Sequence, residues 1–345
     1  MTPRVSVLLP VYGGASHVGD AIASVLGQTY GDFELLVLDD CSPDESAAIA
    51  ERFGDRRTRI IRNDRNLGQV ATLNRGLREA TGEYIARLDQ DDICSQRRFE
   101  RQVALLDADP SVAVVGTWVD VVDDHGARVD DLRTQLEDRS DTLLLILENR
   151  LPLAHPSVMF RAGPVRDAGG YDESVRYCED MDLWRRLVLG GHALRVVSEP
   201  LLRYRVHAGQ QSNTHWAEQQ ANNDASLERF IAALAPSVDA RLVRIAFTRR
   251  LELWDELEDR SDALRLVHDL ELLLTATAAD AKLERGVRAH VARTARVGWR
   301  TGLRRWLRLS PALARFGRRR AGYAATVAIA PALTLARTAD RALRR

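Results

Sequence analysis

An α/β fold, with a mostly parallel sheet flanked by helices and followed by an α-helical C-terminal region, is what this sequence predicts. Strand-length apolar runs alternate with runs of helical spacing through the first hundred-odd residues, the pattern of right-handed βαβ crossovers. Two of the apolar runs, Leu35-Leu36-Val37-Leu38 and Tyr84-Ile85-Ala86-Arg87-Leu88, end directly on acidic groups, Asp39-Asp40 and Asp89-Gln90-Asp91-Asp92. Parallel strands are apolar along most of their length and open at their C-terminal ends onto a ligand crevice. From residue 216 to about 308 the pattern is helical only, with stretches such as 251–274 spaced for an amphipathic face.

Each element follows from its residues. Residues 5–9 read as the first strand, and Val11-Tyr12-Gly13-Gly14 turns into a helix near 17–26. Residues 32–38 form the second strand, and Ser42 or Asp44 in the polar loop behind it is placed to cap a helix over 47–53. A short third strand at 59–62, a loop at 63–68 and a helix over 70–80 lead to strand 83–88. A helix over 97–107 precedes a strand at 112–115 and a further strand or hairpin around 118–122. Beyond Asp123 the pattern loosens, with one more strand expected at 193–197 and a loop at 204–212. The domain boundary falls near residue 213, dividing 1–213 (a nucleotide-binding half of about 1–115 and an acceptor half of about 116–213) from a helical region over 214–345.

With 345 residues, 45% hydrophobic and 28% charged, the chain is globular rather than disordered. Its net charge of zero conceals a division: residues 286–345 hold 15 arginines against Asp340 alone, a net +14, so the rest carries −14. A basic tail on an acidic body points to an anionic partner. Residues 5–10 are too short for a signal core and no small-residue cleavage site follows, so a cytoplasmic location is expected. Cys41, Cys94 and Cys178 make neither a zinc-type pair nor an even disulfide set.

Carboxylates at the C-terminal edge of a parallel sheet bind a divalent cation, and the cation holds a diphosphate, so the two acidic groups point to nucleotide-diphosphate chemistry. Seven segments in order then carry a resemblance. They are Val5-Ser6-Val7-Leu8-Leu9-Pro10-Val11-Tyr12, Leu38-Asp39-Asp40-Cys41-Ser42, Asn66-Leu67-Gly68, Leu88-Asp89-Gln90-Asp91-Asp92, Gly169-Gly170-Tyr171-Asp172-Glu173, Cys178-Glu179-Asp180-Met181-Asp182-Leu183-Trp184 and Tyr204-Arg205-Val206-His207. Over residues 4–212 the chain resembles the inverting family 2 glycosyltransferases. The resemblance implies a GT-A fold and transfer of a sugar from a nucleotide donor, a UDP-sugar by family habit, with inversion at the anomeric carbon.

Residue by residue, Pro10 and Tyr12 belong to the nucleotide side, Tyr12 as a stacking face for the base or as a packed turn tyrosine. Spacing alone does not rank Asp39 against Asp40 as the base contact; the resemblance favours Asp40. Asn66 and Gly68 let backbone approach the nucleotide, or simply make a turn. Asp89-Gln90-Asp91 resembles the family's metal motif for Mn2+ or Mg2+, with Asp91 as ligand, Asp89 on ribose or on the metal through water, and Asp92 as a helix cap. His207, with Arg205 beside it, is a candidate for the metal or the diphosphate; the alternative is an ordinary surface loop. The family pattern makes Asp180 the base that takes the acceptor hydroxyl's proton, at a helix N-terminus where an anion is favoured; a plain helix cap is the other reading. His155, Glu179 and Trp184 are assigned to the acceptor side, Trp184 as a sugar platform or as core. If the motifs converge, the three cysteines ring the site and the protein is thiol-sensitive.

Residues 298–309 mix Trp299 and Trp306 with four arginines, and 321–336 is apolar for only 16 residues and broken by Pro331. A helix lying in a membrane surface fits this better than a span, which places the chain at the inner face of the plasma membrane near a glycan or lipid-linked acceptor. The alternative is a helix packed on the domain or on a second subunit as a homodimer. No nucleic-acid motif accompanies the charge. The rival function is a non-catalytic nucleotide-sugar-binding or scaffold subunit, against which intact Asp91 and Asp180 argue.

Overall fold

The computed structural model describes residues 2–207, 215–247 and 260–290. Contacts divide the chain into two units, Met1–Thr142 with Leu151–Ser226, and Leu143–Arg150 with the chain from Leu227 onward.

The first unit holds strands β1 (Val5–Val11), β2 (Phe33–Asp39), β3 (Thr58–Arg62), β4 (Tyr84–Arg87), β5 (Ile93–Cys94), β6 (Val112–Val122), β7 (Arg128–Leu132), β8 (Met159–Arg161) and β9 (Ala193–Arg205). Between them lie α1 (Val18–Leu26), α2 (Ser46–Arg52), α3 (Gln69–Glu79), α4 (Arg98–Ala108), α5 (Arg139–Leu147), α6 (Ala162–Asp167) and α7 (Glu179–Leu189), of which α5 starts in the first unit and ends in the second. The sheet order is β3-β2-β1-β4-β8-β6-β9-β5, with β7 on β6. β3, β2, β1 and β4 are mutually parallel, β8 runs against both β4 and β6, and β9 lies parallel to β6. The mixed α/β sheet and the helical C-terminal region are those the sequence predicts.

Burial explains the elements. All seven residues of β2 are buried, as a strand covered on both faces requires. α1 buries Val18, Ala21, Ile22 and Val25, one helical stripe against the sheet. Phe99 of α4 is fully buried and meets Phe33 edge-on at 5.8 Å, contributing about 1.5–3 kcal/mol by burial. Around short β8, α4 supplies further donors to backbone carbonyls. Buried Arg98 donates to the carbonyls of Arg87 (2.7 Å) and Val158 (2.9 Å), and Gln102 to those of Val115 (2.9 Å) and Ser157 (2.8 Å).

Two expectations change. The strand at 112–115 and the segment at 118–122 are one strand, and the strand expected at 193–197 continues to Arg205 through what was read as the start of a loop. The cause is mutual: β6 and β9 pair from Val112–Ala193 to Val122–Arg205, absorbing Pro200 at a register shift.

The second unit contains helices Ala240–Phe247, Arg260–Thr277 and 281–290, with Leu242, Ile245, Leu270, Leu273 and Leu274 in its core. Inside it His290 Nδ1 meets Glu148 at 2.7 Å, both buried, and the His290 ring stacks on Phe247 at 4.9 Å. No described helix is long and apolar enough to cross a membrane. The basic segment at 298–345 lies outside the described residues.

Candidate active site

Strand order sets the place. The chain leaves β1 toward β2 and β3 in one direction and returns to β4 on its other side, so the crevice beyond β1 and β4 is a topological switch point. Because β1, β2 and β4 are parallel, Tyr12, Asp39-Asp40 and Asp89 all leave the sheet at one edge. β4 and β6 both oppose β8 and β9 parallels β6, so β9 also ends at this edge and delivers His207. α7 turns within three residues into the start of β9, which points its N-terminus, with Glu179 and Asp180, back toward the same edge.

Asp89, Asp91 and Asp92 each bring a carboxylate oxygen within 4.8 Å of the others. His207 Nε2 lies 3.0 Å from Asp91 Oδ2 and its ring is 6.3 Å from His17 at the start of α1. Asp92 is fully buried: Oδ1 accepts the Arg205 N–H at 2.9 Å, and Oδ2 has no hydrogen-bond partner among the described residues. Burial, with Asp89 and Asp91 alongside, pushes the Asp92 carboxyl well above its ordinary range. Three converging carboxylates, one with an unused buried oxygen, suit a hard divalent cation.

On the other wall Glu179 is buried, and burial together with Asp180 raises its carboxyl to about 7. Burial also raises Asp180, which accepts the Met181 N–H at 2.7 Å, while Arg87 and Arg185 oppose the rise. Such a pair is poised to hold and release a proton near neutral pH. Beneath it His155 Nε2 meets the Tyr171 hydroxyl at 2.8 Å, and burial followed by the Arg87 charge drives His155 well below its ordinary value, so it is neutral.

Residues 6–165 match the family model for glycosyl transferase family 2. The putative glycosyltransferase EpsE of Bacillus subtilis (strain 168) is 34% identical over 208 residues, 59% of this chain and 73% of that protein. The chain belongs to glycosyl transferase family 2. The amylovoran biosynthesis glycosyltransferase AmsE of Erwinia amylovora is a second relative, 30% identical over 204 residues, 58% of this chain and 75% of its own. S. aureus TarS 1-349 shares the fold, with TM-score 0.58 and 15% identity over 87% of this chain and 91% of TarS 1-349. The family's GT-A fold is the one described above.

Tyr12 is half exposed at the end of β1, beyond Pro10, with its backbone held by Gln90. Asp40 is buried and accepts from Asn63 Nδ2 (2.7 Å), Leu67 N (2.8 Å) and Gly68 N (2.8 Å), so it organises the 63–68 loop. Asn66 shares the Gly68 N–H at 3.0 Å, and Gly68 takes φ +87, a conformation L side chains rarely adopt. Asp39 accepts the Ser42 N–H at 3.0 Å, the loop-orienting role open to it.

Four readings give way to the structure. Trp184 is fully buried and edge-on to His155 at 6.2 Å, so it is core and offers no sugar platform. Arg205 is buried with its guanidinium on the carbonyls of Asp91 (3.1 Å) and Asp124 (2.8 Å), tying the acidic loop to the β6–β7 turn. Asp92 caps no helix; α4 begins at Arg98 without a side-chain cap. The thiols do not ring an open site: Cys94 and Cys178 are buried, burial raising the first and pushing the second to about 12, and only Cys41 is exposed.

Arg87 is what sequence reasoning missed. It reads as part of an apolar strand, yet its side chain is 2% exposed and ion-paired with Asp89. Its charge reaches Asp92, Glu179, Asp180, His155, Tyr171 and Tyr204. The available signal was an arginine two residues before the first aspartate of the motif, on the same side of an extended chain.

Proposed function

We propose that residues 1–213 form the catalytic domain of a metal-dependent inverting glycosyltransferase, with 214–345 as a helical region. It moves a sugar from a nucleoside-diphosphate donor, a UDP-sugar by preference, to a hydroxyl of a cell-surface glycan or lipid-linked acceptor. One observation carries the reading: the acidic trio with His207 and the Glu179–Asp180 pair open from one sheet edge onto the switch-point crevice. A relative named for amylovoran biosynthesis and the TarS 1-349 complex with UDP-GlcNAc support a polysaccharide product and a UDP-sugar donor.

Asp91 is the first ligand for Mn2+ or Mg2+, with His207 paired to it and Asp89 and Asp92 beside it. When bound, the cation supplies Lewis-acid stabilisation of the charge that grows on the departing diphosphate. Tyr12 offers its exposed face to the base, and Asp40 shapes the loop that borders it. Asp180 accepts the acceptor hydroxyl's proton as that oxygen bonds to the anomeric carbon, and the electron pair of the breaking C–O bond leaves with the diphosphate. Glu179, with its carboxyl at about 7, shares the proton taken up. In this reading the basic segment at 298–345 holds the enzyme at the inner surface of the plasma membrane.

A thermal-shift panel of nucleoside diphosphates and sugar nucleotides, with and without Mn2+, tests the donor, because a ligand of the native state stabilises it by mass action. UDP and one UDP-sugar are expected to raise Tm in Mn2+ alone. Asp180→Asn is expected to abolish transfer while leaving UDP binding within about twofold of the parent, given that Asp180 touches the acceptor side. Surviving turnover in that variant removes Asp180 as the base, and a flat panel removes the donor class.

A further inference from the structure

This inference rests on the reading of Asp89, Asp91 and Asp92 as a divalent-cation site. We propose that Arg87 is a positioning residue of that site. Its buried guanidinium holds Asp89 and cancels that carboxylate's charge, which leaves Asp91, Asp92 and His207 to face the cation and sets how tightly it is held.

The backbone of Arg87 is fixed on both sides: its N–H donates to Val158 O at 3.0 Å, and its carbonyl accepts from Arg98 at 2.7 Å. The side chain, 2% exposed, therefore cannot swing into solvent, and Nη1 pairs with Asp89 Oδ2. Nε has no hydrogen-bond partner among the described residues. A guanidinium kept only for packing would be expected to spend its donors on neighbours; one left underused in a buried place is kept for its charge.

The charges around it are lopsided. Asp89, Asp91 and Asp92 lie within 4.8 Å of one another, and Asp92 Oδ2 is buried without a partner. Glu179 and Asp180 also lie within reach of the Arg87 field. A guanidinium stays charged throughout the accessible pH range, and here it is enclosed against Asp89. Asp91 is bound differently, through His207 at 3.0 Å rather than through the arginine. One carboxylate of the trio is thus neutralised from inside the protein, and the others await a cation from outside.

Removing a fixed positive charge from beside a cation site strengthens binding there, whereas loss of a merely structural residue weakens it. Titration of the full-length chain with Mn2+ alone, followed by EPR of the free ion at pH 8, reads this directly. Arg87→Met is expected to bind Mn2+ several-fold tighter, and Arg87→Lys, which keeps the charge, to stay close to the parent. The double variant Arg87→Met with Asp89→Asn removes both charges of the pair. It is expected to bind within about twofold of the parent, because the sum of charge is unchanged. This variant also leaves no buried unpaired ion, so it decides the matter even if Arg87→Met alone does not fold.

A folded Arg87→Met that binds Mn2+ no better than the parent overturns the inference. So does a double variant whose affinity collapses, since Asp89 is then itself a ligand. A parent protein that takes up no Mn2+ overturns the cation site itself and the inference with it.

Discussion

Gln90 and Tyr12 hold each other across the crevice: the Tyr12 N–H donates to Gln90 Oε1 at 2.8 Å, and Gln90 Nε2 donates to the Tyr12 carbonyl at 3.1 Å. The residue between the two aspartates of the acidic motif thus joins the end of β4 to the end of β1. It does so as a surrogate strand neighbour, satisfying one backbone donor and one acceptor where the ladder has ended. A Cβ on Gly14 would lie 2.4 Å from Gln90 Oε1, so only glycine leaves room for the pairing.

Gln90→Ala is therefore expected to weaken UDP binding in Mn2+ by about 1–2 kcal/mol, since two hydrogen bonds that fix the Tyr12 segment are lost. Gly14→Ala should do the same by displacing the glutamine. Isothermal titration of both variants checks this; unaltered affinity in both would show that the Tyr12 segment needs no such tie.

Asp40→Ala removes one acceptor from three donors; the Gly68 N–H keeps Asn66 Oδ1 and Asn63 Nδ2 keeps Thr72 Oγ1, whereas the Leu67 N–H loses its partner. Three hydrogen bonds to a charged acceptor are lost but only one donor is left without a partner, so a loss of roughly 1–3 kcal/mol is expected in urea unfolding. Asp40→Asn, which keeps one acceptor oxygen, should lose less.

Trp184→Ala is expected to cost about 3–5 kcal/mol of stability, as for other fully buried aromatics. Trp184→Phe should lower Tm modestly and leave the acceptor KM where it was. A changed KM at unchanged Tm would return Trp184 to the acceptor side.

The Glu179 carboxyl rises from 4.5 to about 7 on folding, chiefly by burial. The folded state then binds more protons than the unfolded chain between those values, so stability falls as pH rises through that window. The shift corresponds to about 3 kcal/mol at most, fully spent above pH 7. Glu179→Gln should flatten this slope in denaturant titrations between pH 4.5 and 7.5, and an unchanged slope would assign it to other groups.

One thiol per chain should react quickly with maleimide, because Cys41 alone is exposed. Cys41 follows Asp40 at φ +60, on the loop beside the Tyr12 segment, so UDP with Mn2+ is expected to slow its labelling. Mass spectrometry of the labelled peptide identifies the site; rapid modification of Cys178 would contradict its buried position.

Much of this was legible in the residues. The alternation of β1 to β4 with α1 to α3 emerges within a residue or two of expectation, because strands buried on both faces and helices with one apolar stripe write their period into the sequence. The acidic ends of β2 and β4 were legible for the same reason: carboxylates after an apolar run stand out.

What local pattern does not carry is pairing. β9 runs to Arg205 because β6 lies beside it, and no period within residues 198–205 announces that neighbour. Burial of charge is likewise a decision of the assembled fold. Arg205 reads along the chain as a residue for ligand or solvent, Trp184 as platform or core, and Arg87 only as a member of an apolar strand; each is enclosed once distant segments close over it. Local residue order is enough for the kind of sheet, its acidic edge and the family. Which side chains face the crevice and which support it is set by long-range packing. Exposure and the partner of a charge depend on residues a hundred positions away, as the Arg205 N–H on Asp92 shows.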